Sequence, residues 1–141
     1  MVSPTPLNTD AESQRKNLAE WAGSSVRGQD YVVDEKGNRI YYREKIARYV
    51  DPLLTAMGLS GWGYTMWRYS AYTPIDPVPR AEIYFIPIDI TTGQPQIIQD
   101  GRQSQVVPGW FTVTLGAFEL TPEFDCLLIG DISKIESSLD I

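Results

Sequence analysis

The sequence contains no histidine and a single cysteine, Cys126. Without imidazole there is no Ser-His or Cys-His pair, no HExxH helix and no ordinary neutral-pH general base within the chain. One cysteine excludes an internal disulfide and every multi-cysteine zinc motif. Lysine is scarce beyond residue 60, where only Lys134 occurs, and the residue two before it is Ile132. The acid-x-Lys strand pattern of metal-dependent nucleases is therefore missing. No run approaches the roughly 18 apolar residues that span a bilayer. The opening Met1-Val2-Ser3-Pro4-Thr5-Pro6 lacks the basic and apolar regions of a secretory signal. These absences point to a cytoplasmic protein without membrane association, made in a host cytoplasm if it belongs to a viral particle.

What is present is acidic and aromatic. Twelve Lys and Arg face eighteen Asp and Glu, for a net charge of -6. Residues 1–60 carry eight of each sign, so the imbalance falls on residues 61–141, with four bases and ten acids. Phosphate backbones need clustered cations, and an acidic C-terminal half argues against a nucleic-acid partner. Arg39, Arg43, Lys45 and Arg48 lie close together, but Glu44 and Asp51 interrupt them, as on a solvated helix face. At 141 residues the chain suits one domain that buries its own core without a metal or disulfide staple.

Residues 1–8 read as a flexible or extended arm, residues 9–131 as one domain and residues 132–141 as a tail. Thr9 and Glu12 match a capping box, opening a helix that runs from about residue 10 to Ala22 and stops at Gly23. Tyr31-Val32-Val33 and Ile40-Tyr41-Tyr42 flank a Gly-containing loop and predict a small hairpin. The loop's Asp34, Lys36 and Asn38 alternate like calcium ligands, yet a Lys at a ligand position and the misplaced glycine exclude that reading. Arg43 to Met57 carries Ile46, Tyr49, Val50, Leu53, Leu54 and Met57 on one stripe, with Gly58 placed to end the helix. From Gly61 onward the pattern is β. Pro87 inside an Arg80–Ile90 strand demands an edge or a bulge, and Asp100-Gly101 signals a tight hairpin. The expected fold class is α+β: an arm and two helical segments, then a mostly antiparallel sheet of four to six strands.

Few constellations carry chemistry. Cys126 sits in an apolar run with no basic neighbour, as a buried free cysteine does. Gly58-Leu59-Ser60-Gly61-Trp62-Gly63 lacks both a Lys and a following helix, so it is a connector and not a phosphate cradle. Asp125 and the following acid, Asp131, bracket a short apolar strand as solvent-fringed ends. No metal or cofactor is implied. In Trp62–Tyr72, alternation puts Trp62, Tyr64, Met66, Arg68 and Tyr72 on one face and Trp67 and Tyr69 on the other. Both faces carry rings, more than one core face needs. A Gln-rich hairpin adds Gln96, Gln99, Arg102 and Gln103, and Trp21 lies on a first helix with a thin apolar face. Trp21, Trp62, Tyr64, Trp67, Arg68, Tyr69, Gln96, Gln99, Arg102 and Gln103 are thus the candidate interface residues. They suggest a non-enzymatic structural or assembly subunit acting through protein partners, as a homo-oligomer or in a heteromeric assembly, with phage neck, tail and capsid components as architectural analogues. Two alternatives remain open: a small-ligand or carbohydrate-binding domain using the aromatic strand, and a His-free carboxylate-dependent hydrolase or lyase.

Overall fold

The computed structural model describes residues 3–24, 27–77 and 82–130. In chain order its elements are β1 (Thr5–Pro6), α1 (Thr9–Ser24), a 3-10 turn (Gly28–Asp30), β2 (Tyr31–Val33), β3 (Arg39–Tyr41), α2 (Arg43–Met57), β4 (Gly63–Tyr69), β5 (Thr73–Ile75), β6 (Glu82–Ile90), β7 (Gln96–Gln99), β8 (Arg102–Gln105), β9 (Trp110–Leu115), β10 (Phe118–Leu120) and β11 (Phe124–Gly130). The strands form two sheets, one of seven in the order β1-β9-β6-β11-β4-β3-β2 and one of four in the order β5-β10-β7-β8. The α+β class holds, but the single sheet of four to six strands does not. Within β4 to β11 the first, eighth, third and sixth strands share one sheet and the second, seventh, fourth and fifth share the other. That interleaving defines a jelly roll.

Three layers result. Ala11, Leu18 and Trp21 of α1 and Ile46, Val50, Leu53 and Leu54 of α2 pack on Tyr64, Met66, Ile86, Leu127 and Ile129 of the larger sheet. On that sheet's opposite face, Trp67, Tyr69, Ile83, Phe85, Phe124, Cys126 and Leu128 meet Ile75, Ile97, Phe118 and Leu120 of the smaller one. This explains the two-sided aromatic strand. β4 is covered by helices on one face and by a second sheet on the other, so period-2 alternation between core and solvent does not apply to it.

Local chemistry accounts for most boundaries. α1 is capped by Asn8, whose Oδ1 accepts from the Ala11 amide at 2.8 Å. The cap falls one residue before the Thr9 that the sequence suggested, and Glu12 pairs with Arg15 instead of closing a capping box. α2 runs as one helix through Pro52 and ends at Gly58, which adopts φ 75° and donates to the Leu54 and Thr55 carbonyls. Asp100 (φ 53°) and Gly101 (φ 75°) form the tight turn between β7 and β8. Pro87 lies in an interior strand at a bulge, where the register against β11 slips between Asp125 and Cys126. The carbonyl of Ile88 at this bulge is taken by the buried Arg15, whose Nη1 donates to it at 2.6 Å. Gly116 (φ 82°) turns the chain from β9 in the larger sheet to β10 in the smaller. Thr5 and Pro6 of the arm pair with Phe111 and Trp110, extending the larger sheet. The tail at 132–141 lies outside the described residues.

Asn38 is fully buried and ties the β2–β3 hairpin to the end of β4. Its Oδ1 accepts from the Ser70 amide at 2.8 Å and the Ala71 amide at 3.2 Å, and its Nδ2 donates to Thr73 Oγ1 at 3.0 Å. Asp34 is occupied in the turn itself, its Oδ1 accepting from the Lys36 and Asn38 amides at 2.9 Å. Asn38→Ala leaves two backbone donors without their acceptor, and should cost about 2–4 kcal/mol in chemical denaturation.

Candidate functional site between the sheets

Where β6 and β9 of the larger sheet face β7 and β8 of the smaller, the sandwich core stops short of the edge and leaves a pocket of about 280 Å³. Phe85 and Pro87 of β6, Ile97 of β7, and Val106 form its apolar wall. Trp110 at the start of β9 and Pro4 of the arm lie across it, while Ser104, Gln105 and Thr112 supply the polar groups. The arm is held there because Leu7 donates to the Gly109 carbonyl at 2.9 Å and Pro6 sits opposite Trp110. Thr112 shares the inward face of β9 with Thr114, whose hydroxyl donates to the Ile83 carbonyl at 3.2 Å. Here Thr112 and Thr114 are buried and Leu115 is exposed, so the polar parity of this strand faces the interior.

A second constellation lies under the helices. Asp125, 2% exposed, receives Arg68 in a bidentate pair, Nε to Oδ1 and Nη2 to Oδ2, both 2.9 Å. The Tyr41 hydroxyl donates to the same Oδ1 at 2.9 Å. Burial first, and then the Asp125 charge, push the Tyr41 phenol well above its usual range. The hydrogen bond to Asp125 likewise raises the Arg68 guanidinium. The three groups close a β3–β4–β11 tie that has no free coordination to offer a substrate. Asp125 is therefore no solvent-fringed strand end, and its sequence partner Asp131 lies outside the described residues. Asp89 stands across the ladder from Asp125 but is exposed and accepts from the Ile90 amide.

The ten candidate interface residues do not form one surface. Trp21 is buried against Tyr41 and stacked on Tyr49 with centroids 5.7 Å apart. Tyr64 is buried beneath the Arg43 guanidinium, 4.4 Å from its ring centre. Trp67 and Tyr69 stack in the inter-sheet core at 5.4 Å, and Arg68 is committed to Asp125. Gln99 is buried, its Nε2 donating to the Leu115 and Ala117 carbonyls at 3.0 Å. Gln96 is half-buried, while Arg102 and Gln103 are exposed on β8. Trp62, 41% exposed, stands edge-on to Tyr84. The pocket residues Val106, Trp110 and Thr112 were missed. The available signal was parity: Trp110 alternates with Thr112 and Thr114 on one face of β9.

Among the described residues, no three His, Cys, Asp or Glu side chains converge to hold a metal ion. The centre of the barrel is filled by Phe85, Phe118 and Phe124, whose rings meet edge-on at 5.9–6.3 Å. Nor, among the described residues, is any helix long and apolar enough to cross a membrane.

No family model and no curated protein matches the chain. Among solved structures it is similar to the EutQ protein of Clostridium difficile, at 13% identity and a TM-score of 0.43 over 78% of this chain and 80% of that one. It is also similar to salicylate 1,2-dioxygenase from Pseudoaminobacter salicylatoxidans bound to gentisate, at 16% identity and a TM-score of 0.42. The match covers 94% of this chain but 33% of the dioxygenase, so the protein spans about a third of that chain's length. The expectation of a non-enzymatic structural or assembly subunit and virion component is corrected, because its physical basis fails. It rested on rings left uncovered by their own chain, whereas Tyr64, Trp67 and Tyr69 are at most 4% exposed.

Proposed function

We propose that the protein binds a small, predominantly apolar molecule in the mouth between its two sheets. The supporting observation is the pocket itself, about 280 Å³ bounded by Phe85, Ile97, Val106 and Trp110, with the Ser104 and Thr112 side chains as its polar groups. An apolar chamber with a few fixed polar groups at the mouth of a β-barrel is a common design for ligand sites. A cavity of about 150 Å³ already accepts benzene, so this one takes a monocyclic or small bicyclic compound. The ligand surface is not the aromatic strand, because most of that strand's rings lie in the two cores.

Titration with phenol, indole and benzyl alcohol, followed by amide NMR, should shift Val106, Trp110 and Thr112 together. Ser104→Phe places a ring from the half-buried edge strand β8 into the chamber and should weaken binding at least tenfold while the circular dichroism spectrum stays unchanged. Shifts confined to residues remote from the pocket, or equal binding by Ser104→Phe, would overturn the assignment.

A further inference from the structure

The chamber's lining has a second property, its uniform neutrality. We infer that the site selects uncharged ligands and rejects carboxylates of the same shape, an inference that rests on the pocket being the binding site proposed above. Among the described lining residues, the polar side chains of Ser104, Gln105 and Thr112 carry a hydroxyl or an amide. None of the described lining residues is ionisable, in a chain with thirty Lys, Arg, Asp and Glu residues. Hydroxyl and amide groups both donate and accept, so they can satisfy an alcohol, a phenol, an amide or a ketone. They supply no charge to a carboxylate that leaves water for a wall of Phe85, Ile97 and Val106. Desolvation of an unpaired anion is the dominant cost there, and neutral hydrogen bonds offset only part of it.

The neighbouring charges do not relieve that cost. Arg102 lies two residues before Ser104 and so on the same face of β8, but it is exposed and outside the lining. Its cross-strand neighbour is Gln99, two pairs toward the turn from the Ile97–Ser104 pair that borders the chamber. Residues 61–141 carry ten acids against four bases, so the field of this half repels an approaching anion. A cation fares no better, since among the described residues no carboxylate lines the site.

Benzamide and benzoate separate charge from shape, being nearly isosteric. In amide NMR titrations of the full chain at pH 7.5, benzamide should shift Val106, Trp110 and Thr112, and benzoate should bind at least about a hundredfold more weakly. Ser104→Arg supplies the missing cation from an edge strand and should bring benzoate affinity to within tenfold of that for benzamide. Arg102→Gln should leave both affinities unchanged. If benzoate binds the unmodified protein as tightly as benzamide at the same amides, the selectivity is wrong and the pocket assignment stands. If Arg102→Gln abolishes benzoate binding, the arginine reaches the chamber and the selectivity is again overturned. If neither compound moves the pocket amides at millimolar concentration, the pocket assignment fails and the selectivity falls with it.

Discussion

Asp125→Ala should remove about 3–5 kcal/mol of stability, the largest loss expected of any single substitution outside the two cores. Asp125 is 2% exposed and the Arg68 side chain 16%, so neither can turn to water when its partner is lost. The substitution strands a guanidinium and the Tyr41 hydroxyl, both of which donate to that carboxylate. Domains of ordinary stability hold about 5–15 kcal/mol in total, so the variant approaches unfolding. Tyr41→Phe removes only one neutral donor and should cost about 1 kcal/mol. Joint replacement, Asp125→Leu with Arg68→Met, leaves no buried charge and should cost well under the single Asp125→Ala. Urea midpoints for the three variants and the unmodified protein make the comparison, and a loss below 1 kcal/mol for Asp125→Ala would mean that the pair is effectively solvated.

Alkaline pH should unfold the protein steeply. Burial holds the phenols of Tyr41 and Tyr69 and the thiol of Cys126 in their neutral forms, far above the ordinary values of 10.0 for tyrosine and 9.0 for cysteine. Each folded-state group keeps its proton where the unfolded chain has released it. Stability is therefore intact below pH 9 and falls as pH rises past the unfolded values. Cys126 acts first, at about 1.4 kcal/mol per pH unit between pH 9 and 10, and all three together give about 4 kcal/mol per pH unit above 10. Tyrosinate absorbance and far-ultraviolet circular dichroism should change together near pH 10–11. Tyr69→Phe tests one contributor cleanly. Its hydroxyl is buried with no hydrogen-bond partner among the described residues, so the substitution should be neutral or stabilising at pH 7 and should flatten the alkaline slope. Smooth phenol titration with the fold intact at pH 11 would refute the account.

The local elements were legible because their causes are local. The α2 stripe from Ile46 to Met57, its glycine stop, the β2–β3 hairpin and the Asp100-Gly101 turn all follow from periodicity or from backbone freedom at one residue. Pro87 was readable as marking either an edge or a bulge, because a missing amide must interrupt a ladder, and the structure has the bulge. The pairing of distant polar groups was not. Asn38 meets Ser70, Ala71 and Thr73, and Asp125 meets Arg68 and Tyr41, across separations of 32 to 84 residues. No spacing rule connects such positions.

Sequence alone determined what chemistry this chain cannot do through histidine or paired cysteines, where its charge lies, and which short segments coil or extend. Tertiary structure decided how many layers cover each strand. A side chain's alternation states which face it occupies but not what that face meets. Once a second sheet closed over β4 and β9, the rings of Trp67 and Tyr69 became core, and the Thr112 face became the wall of a pocket.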